Sequence, residues 1–227
     1  MKKFVFLIIF LFIFCVFRIA SQEDNSFRSE WSLGVNAGAS FSKMRFVNNR
    51  ANTRVPQELL NQFSGGVVVR YISEKHFGII GELNISQRGW KDEKDDEFYF
   101  NTYSRSLTYI ELPLLTHIYF DLGKRVRFVF NVGPQVGYNI GDKVLERIIP
   151  PGSEAKEYYD MKIDRKFEYG IKGCLGLELR TGIGSFILDG RYYYGLSDVF
   201  DNSRDDYFQA SSNQILGVNL SYLIPFK

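Results

Sequence analysis

The stretch WSLGVNAGASFS (residues 31–42) decides the fold, because its side chains alternate between two kinds. One set of alternate positions is apolar: Trp31, Leu33, Val35, Ala37, Ala39 and Phe41. The positions between them are polar or glycine: Ser32, Gly34, Asn36, Gly38, Ser40 and Ser42. A period of two is the spacing at which side chains alternate between the faces of a β-strand. We therefore predict a strand with one apolar face and one polar face.

The same alternation recurs seven times along the chain. It covers residues 63–72, 77–90, 107–120, 126–140, 167–180, 185–196 and 214–226. The composition agrees with this pattern, because 21 Phe and 14 Tyr accompany 20 Gly and only 6 Pro. Aromatic residues favour strands. The sequence predicts an all-β protein of eight strands.

The connections between these strands alternate between short and long. The short ones are 73–76, 121–125 and 181–184, and the long, polar ones are roughly 43–62, 91–104, 141–165 and 197–212. An even number of antiparallel strands, with short turns at one rim and long loops at the other, is typical of outer-membrane barrels. We predict an eight-stranded antiparallel up-and-down transmembrane β-barrel with short periplasmic turns and long extracellular loops.

Side-chain type predicts which face meets lipid. On the third predicted strand, Ile79, Leu83 and Ile85 share one face, whereas Glu82 and Arg88 share the other. A soluble ligand-binding barrel would carry its apolar face inside; a two-sheet sandwich, which could also hide one apolar face, remains an alternative. The predicted interior charge network comprises Arg70, Glu82, Arg88, Glu111, Arg127, Glu168, Lys172, Glu178, Arg180, Asp189 and Arg191. It is expected to pair internally, with Arg88 near Glu111 and with Lys172, Glu178, Asp189 and Arg191 at similar depth. An ion or proton path is the competing interpretation.

The first residues have the pattern of an export signal. Lys2 and Lys3 precede an apolar run over residues 4–17, and Ala20 and Ser21 follow it. We predict a signal peptide over 1–21, a short periplasmic segment over 22–29 and the barrel over 30–227. A membrane anchor is the competing hypothesis, but the run is short for a bilayer span. Removal of Cys15 with the signal would leave Cys174 without an intrachain disulfide partner.

Five segments together resemble the PorT-like outer-membrane β-barrel family of Gram-negative bacteria. They are GELNISQRGW (81–90), YIELPLLTHIYF (109–120), GPQVGYNIG (133–141), LDGRYYYGLSDVF (188–200) and NQILGVNLSYLIPF (213–226). The resemblance covers nearly the whole predicted mature chain. It implies an eight-stranded barrel in the outer membrane, in a family whose named member serves a protein-secretion and gliding apparatus.

The last predicted strand resembles the aromatic-ended signal that the outer-membrane insertion machinery recognises. Its apolar positions are Leu216, Val218, Leu220, Tyr222, Ile224 and Phe226. An ordinary closing strand would show the same alternation, because its outer face must be apolar in either case. Lys227 departs from the commonest form of the signal, in which the aromatic residue is terminal.

Composition and motifs argue against several function classes. The 28 Lys+Arg against 26 Asp+Glu leave a formal charge of +2, which does not favour nucleic acid as a partner. With only 2 His and no Ser-His-acid spacing or Cys/His cluster, we expect no catalytic residue, no cofactor and no metal. The acidic stretches 91–97 and 197–206 could gather carboxylates around Ca²⁺, but they are also typical of solvated loops.

Function is therefore expected in the surface loops. The predicted 141–165 loop is unusually apolar at Val144, Leu145, Ile148, Ile149, Tyr158 and Tyr159. These residues form a candidate partner-binding surface, unless strands five and six continue beyond the membrane and they pack together. The leading hypothesis is a non-enzymatic outer-membrane scaffold, embedded in outer-membrane lipid and associated with a larger secretion or transport complex. A narrow solute pore is second and a lipid-modifying enzyme third.

Overall fold

The computed structural model describes residues 28–48, 58–96, 99–149, 162–163, 165–200 and 208–226. Eight strands follow one another along the chain: β1 Glu30–Asn48, β2 Leu60–Glu74, β3 Phe77–Asp96, β4 Tyr99–Asp121, β5 Val126–Ile148, β6 Phe167–Thr181, β7 Gly184–Gly195 and β8 Phe208–Phe226. No helix among the described residues is long and apolar enough to cross a membrane.

The strands form a closed antiparallel barrel in sequence order. Each strand pairs with the next, and β8 returns to pair with β1. Val35 lies opposite Val67 on one side and Tyr222 on the other, so β1 has neighbours at both edges. Closure satisfies the backbone groups that an open sheet would leave at its edges. The predicted all-β, up-and-down barrel is confirmed.

Six strands extend further than their side-chain alternation indicates. On the side of the long loops, β1 continues to Asn48, β2 begins at Leu60 and β8 begins at Phe208. Lys91 pairs with Ser104 and Asp95 with Phe100, so β3 and β4 remain paired at the described positions of the predicted 91–104 loop. The β5 strand likewise continues to Ile148, inside the predicted 141–165 loop. These loop boundaries were wrong because backbone hydrogen bonds maintain a ladder even where the side chains lose their apolar-polar period.

The short turns lie together at one end of the barrel. Lys75 and His76 join β2 to β3, and Gly182 and Ile183 join β6 to β7. His76 has a positive φ of 73°, a conformation uncommon outside glycine. Its Nδ1 lies 2.9 Å from the carbonyl oxygen of Tyr119 on β4, and its own carbonyl accepts a hydrogen bond from the Tyr119 N–H. These two contacts anchor the turn to the neighbouring strand.

The outer surface is an apolar belt bounded by aromatic residues. Leucine, valine and isoleucine side chains occupy its middle, and most are about half exposed, as Leu83, Leu112, Leu175 and Leu220 show. Outward aromatic residues near the short turns are Trp31, Tyr71, Phe77, Phe120, Phe128, Phe186, Tyr222 and Phe226. Those toward the long loops are Phe41, Phe63, Tyr138, Phe167, Tyr169, Tyr192 and Tyr194.

The two groups of outward aromatic residues form girdles around the barrel, and the distance between the girdles matches the thickness of the apolar part of a bilayer. On β1, Trp31 belongs to the girdle near the short turns and Phe41 to the girdle near the long loops, ten residues apart. A rise of about 3.3 Å per residue and a strand tilt of roughly 40° place them about 25 Å apart along the barrel axis. This is the height of the apolar band in outer-membrane barrels.

The predicted signal peptide over 1–21 lies outside the described residues, as does most of the predicted 22–29 segment. Arg28 and Ser29 are described and precede the first strand without regular structure.

Candidate functional site

The lumen of the barrel holds a charge network of equal positive and negative content. Five cationic side chains, Arg70, Arg88, Arg127, Lys172 and Arg191, face it. Five acidic side chains, Glu82, Glu111, Glu168, Glu178 and Asp189, accompany them. All ten belong to the set predicted from sequence. Their five positive and five negative charges sum to zero.

The group nearest the short turns centres on Glu178. Arg70 donates a hydrogen bond to Glu178 across 2.7 Å, and the Arg127 Nη1 atom lies 3.7 Å from the other carboxylate oxygen. The Arg127 guanidinium also stacks over the Tyr119 ring at 4.1 Å and contacts Asp121 at 2.8 Å. His117 is buried nearby, with its Nδ1 atom 2.7 Å from the side-chain oxygen of Asn131.

The middle group centres on Glu82. Arg191 binds both Glu82 oxygens, with N–O distances of 2.9 and 3.0 Å, and Lys172 approaches one of them at 3.3 Å. The Nε of Arg191 donates to Asp189 at 2.7 Å. This bidentate geometry orients both groups, since the guanidinium fork matches the carboxylate. β3, β6 and β7 are thereby joined across the lumen.

The upper group centres on Arg88. Its Nη2 lies 2.7 Å from Glu111 and its Nη1 lies 2.8 Å from Glu168. The guanidinium lies between the rings of Tyr109 and Tyr193, at 4.7 and 4.4 Å from their centroids. Glu168 also accepts hydrogen bonds from the Tyr193 hydroxyl and the Asn213 amide. Ser86 donates a further hydrogen bond to Glu111.

Two expectations about this network need correction. Arg180 has inward parity but is exposed, because it lies at the end of β6 next to the short turn rather than within the lumen. Glu178 was expected at the depth of Lys172, Asp189 and Arg191, whereas it joins the group nearest the short turns through Arg70 and Arg127. Depth depends on the stagger between strands, which side-chain type does not reveal.

Sequence reasoning missed that apolar clusters also fill the lumen. The cluster toward the short turns consists of Val68, Ile72, Ile80, Leu115, Tyr119, Val129, Cys174, Ile187 and Leu223. Most of these residues share the inward parity of the charged residues beside them, as Val68 does with Arg70. The interruption of polar positions by Val68, Ile80 and Val129 on the inward face was the signal that could have found them.

A second apolar cluster caps the lumen toward the long loops. It consists of Met44, Trp90, Tyr103, Leu107, Tyr109, Ile163, Val199 and Phe200, with Ile149 packed against it. Residues 196–200 close this end beside β8, because the Val199 N–H donates to the Ser211 carbonyl and the Arg165 N–H donates to the Val199 carbonyl. Trp90 and Phe200 are fully buried and meet edge to face.

Little open space remains between the two apolar clusters. A cavity of about 40 Å³ lies beside Asn84, Glu111, Lys172, Arg191 and Tyr193. A volume of this size holds a few water molecules at most. The lumen of the described barrel is therefore packed with side chains, as expected for eight strands.

The candidate partner-binding residues lie on a strand rather than in a loop. Val144, Leu145 and Ile148 belong to the upper part of β5 and are 39%, 50% and 52% exposed. Ile149 follows the strand and packs against the cap cluster. Tyr158 and Tyr159 lie outside the described residues. The alternative, in which strands continue beyond the membrane, holds for β5 but not for β6, which begins only at Phe167.

One edge of this upper part of β5 has no strand beside it among the described residues. β4 pairs with β5 up to Ile148, whereas β6 pairs with it only up to Tyr138. The Asn139 N–H still donates to the Lys166 carbonyl, and from there residues 165–166 turn toward Val199. The edge over residues 140–148 thus stands above the barrel wall.

The predicted insertion-signal residues all lie on the outward face of β8. Leu216, Val218, Leu220, Ile224 and Phe226 are each about half exposed. Tyr222 is partly covered, and its hydroxyl donates to the carbonyl of Ile183 in the β6–β7 turn. No group of three or more potential metal ligands occurs within the described ranges.

The barrel is completely closed, its lumen is packed and neutral, and its apolar belt lies between two girdles of aromatic residues. These features define an integral β-barrel of the outer membrane. The chain belongs to the outer membrane protein beta-barrel domain family, whose model matches residues 20–201. The protein accordingly resides in the outer membrane, where such barrels place their short turns toward the periplasm. No curated protein sequence matches the chain.

Several solved barrels are similar to this chain. The attachment invasion locus protein Ail of Yersinia pestis, solved in complex with the heparin analogue sucrose octasulfate, shares 13% identity over 86% of this chain and 99% of its own, with a TM-score of 0.42. OprG of Pseudomonas aeruginosa shares 9% identity over 87% and 93%, with a TM-score of 0.45. Neisserial surface protein A shares 11% over 86% and 99%, with a TM-score of 0.46.

Proposed function

We propose that this protein is a non-enzymatic outer-membrane barrel that binds a protein partner through the part of the chain above the membrane. The observation that carries the proposal is the upper edge of β5, over residues 140–148, which stands beside no other described strand. An exposed strand edge is a template for pairing with another chain. Val144, Leu145 and Ile148 give that edge apolar side chains for a partner to cover.

The lumen supports a binding role over a pore. Its five cationic and five acidic side chains from the predicted network balance, and the buried Arg105 and Asp92 add one charge of each sign. Apolar clusters lie toward both ends. A channel needs a continuous water-filled path, as the wide lumen of larger barrels provides. A narrow solute pore is therefore the weaker hypothesis.

The positions of the two histidines among the described residues do not favour a lipid-modifying enzyme. His76 lies in a turn near the periplasmic side, and His117 is fully buried between Asn131 and Tyr119. Neither histidine lies near the outer rim. The resemblance to PorT-like barrels adds the proposal that the partner belongs to a secretion or transport complex.

The test compares charged substitutions at the β5 edge with one at the far end. The variant Leu145→Lys/Ile148→Lys places two positive charges in the proposed contact surface. The control Ile183→Lys places one positive charge in an exposed short turn. The wild type, extracted from its own membranes with mild detergent, should migrate on native gels as a complex larger than the barrel. The β5 variant should migrate alone, and the control should match the wild type.

Photo-crosslinking from position 145 should join the barrel covalently to the same partner, and crosslinking from position 183 should not. Wild-type protein that migrates alone, or a complex that survives both β5 charges, would contradict the proposal. Heat-dependent migration of each variant on denaturing gels verifies that the barrel has folded.

A further inference from the structure

A groove on the outer surface lies where β6 begins and β7 ends. It has a volume of about 420 Å³, and the side chains of Arg165, Lys166, Phe167, Tyr169 and Leu196 line it together with Ser197 and Asp198. Its floor is hydrogen-bonded, because the Leu196 N–H donates to the Tyr169 carbonyl and the Tyr169 N–H donates to the Ser197 hydroxyl. The groove is thus part of the barrel wall.

The lower half of the groove is continuous with the apolar belt. Phe167, Tyr169 and Leu196 are 56%, 49% and 52% exposed and face outward. Ile171, two residues further into the belt, is also half exposed. A molecule in this half would contact the same surface as the acyl chains of the bilayer.

The upper half of the groove is cationic. Arg165 and Lys166 are exposed at its margin. The single carboxylate in the lining, Asp198, accepts a hydrogen bond from the Ser211 N–H at 2.6 Å, which directs one of its oxygens toward β8. The balance of the lining is therefore positive at the level of the headgroups.

A further cation lies on the same side of the outer rim. Arg45, on β1, is exposed and donates to the hydroxyl of Tyr194 at 3.1 Å. Tyr194 precedes Leu196 by two residues, about 7 Å along the chain. Lys43 is exposed two residues below Arg45 on the same outward face. Cations from β1 and from the start of β6 thus flank the upper aromatic residues of β7.

We propose that this side of the rim, formed by β6, β7, β8 and β1, binds a phosphorylated glycolipid of the outer leaflet. Arg45 and Lys166 contact the phosphate groups, and an acyl chain packs on Phe167, Tyr169 and Leu196. The pairing of headgroup cations with an apolar floor distinguishes a lipid from a soluble anion, which would gain nothing from the lower half. Arginine and lysine at this level bind anionic headgroups electrostatically.

The experiment measures binding of fluorescent bisphosphorylated glucosamine glycolipid to the full barrel in neutral detergent. The same glycolipid without its phosphates is the chemical control. The variant Arg45→Gln/Lys166→Gln removes two rim charges, and Lys75→Gln/Lys124→Gln removes two exposed charges in turns at the other end. Each headgroup cation should contribute roughly fivefold to affinity, so the rim variant should lose about 25-fold.

The expected result is that the wild type and the turn variant prefer the phosphorylated lipid equally, and the rim variant binds both lipids alike. Added salt should lower wild-type affinity for the phosphorylated lipid only. Equal wild-type affinity for both lipids, an equal loss in the turn variant, or displacement of the lipid by millimolar inorganic phosphate would overturn the proposal. If a variant does not fold, the comparison of the two lipids on the wild type and its salt titration still test whether the barrel prefers the phosphorylated lipid.

Discussion

Arg88 and Glu111 meet inside the barrel although they lie on different strands. The Nε and Nη2 atoms of Arg88 both donate to one oxygen of Glu111, at 3.0 and 2.7 Å. The third nitrogen of the guanidinium lies 2.8 Å from Glu168, on β6. One cation therefore joins three strands across the lumen. Since its side chain is fully buried, removal of either carboxylate leaves part of its charge uncompensated.

Replacing Glu111 by Gln should destabilise the barrel by about 3 kcal/mol, because Arg88 would keep only Glu168 as an acidic partner. Urea-induced unfolding in detergent, followed by the heat-dependent gel shift, measures the loss. Glu146→Gln serves as the control, since Glu146 is exposed on the upper part of β5 and should change the free energy of unfolding little. Unchanged stability in Glu111→Gln would contradict the role of this pair.

Wild-type protein reconstituted in planar bilayers should show no steady conductance. Side chains occupy the axis from the cluster around Val68 and Leu223 to the cap around Trp90 and Phe200. Steady single-channel currents in the wild type would favour the pore hypothesis. A change of ion selectivity in Glu111→Gln would point the same way, because it would place this carboxylate on an ion path.

Cys174 should resist thiol reagents in the folded barrel and react only after denaturation. It is 2% exposed and lies in the apolar cluster toward the short turns. A reagent must reach the sulfur through the packed lumen. The matched control is Ile183→Cys in an exposed turn, which should react rapidly at its new position. Equally rapid labelling of both positions would mean that the lumen is open.

Replacing Leu175 by Arg should lower stability by about 2 to 4 kcal/mol, because this residue faces lipid near the middle of β6. The same change at Leu122, exposed in the short turn after β4, should have an effect near zero to 1 kcal/mol. Unfolding measurements in lipid vesicles compare the two. Equal effects at both positions would contradict the assigned membrane depth.

The outcome at β5 illustrates what a side-chain pattern does and does not contain. From Val126 to Ile140 the pattern predicts the strand and its outward face, and both agree with the structure. From Gly141 to Ile148 the alternation fades, yet pairing with β4 continues. The pattern reports the environment of each face, and above the membrane both faces of this strand are exposed to water.

The sequence by itself determined the number of strands, their antiparallel order and which face meets lipid. These properties follow from a local period of two and from the difference between lipid and lumen as surroundings. Arg88, Glu82 and Glu178 could be placed inside by that rule alone, since a charge on the other face would lie in hydrocarbon.

The sequence predicted the contact of Arg88 with Glu111 on the neighbouring strand, but only the tertiary structure decided which charges meet across the lumen. Arg70 pairs with Glu178 and Lys172 with Glu82 across 108 and 90 residues of chain. The same closure brings Val199 and Phe200 over the lumen beside Trp90. Depth in a barrel is set by the stagger accumulated over all eight strands and by the β1–β8 register that closes it. No single strand carries that sum, so no local pattern in the chain can report it.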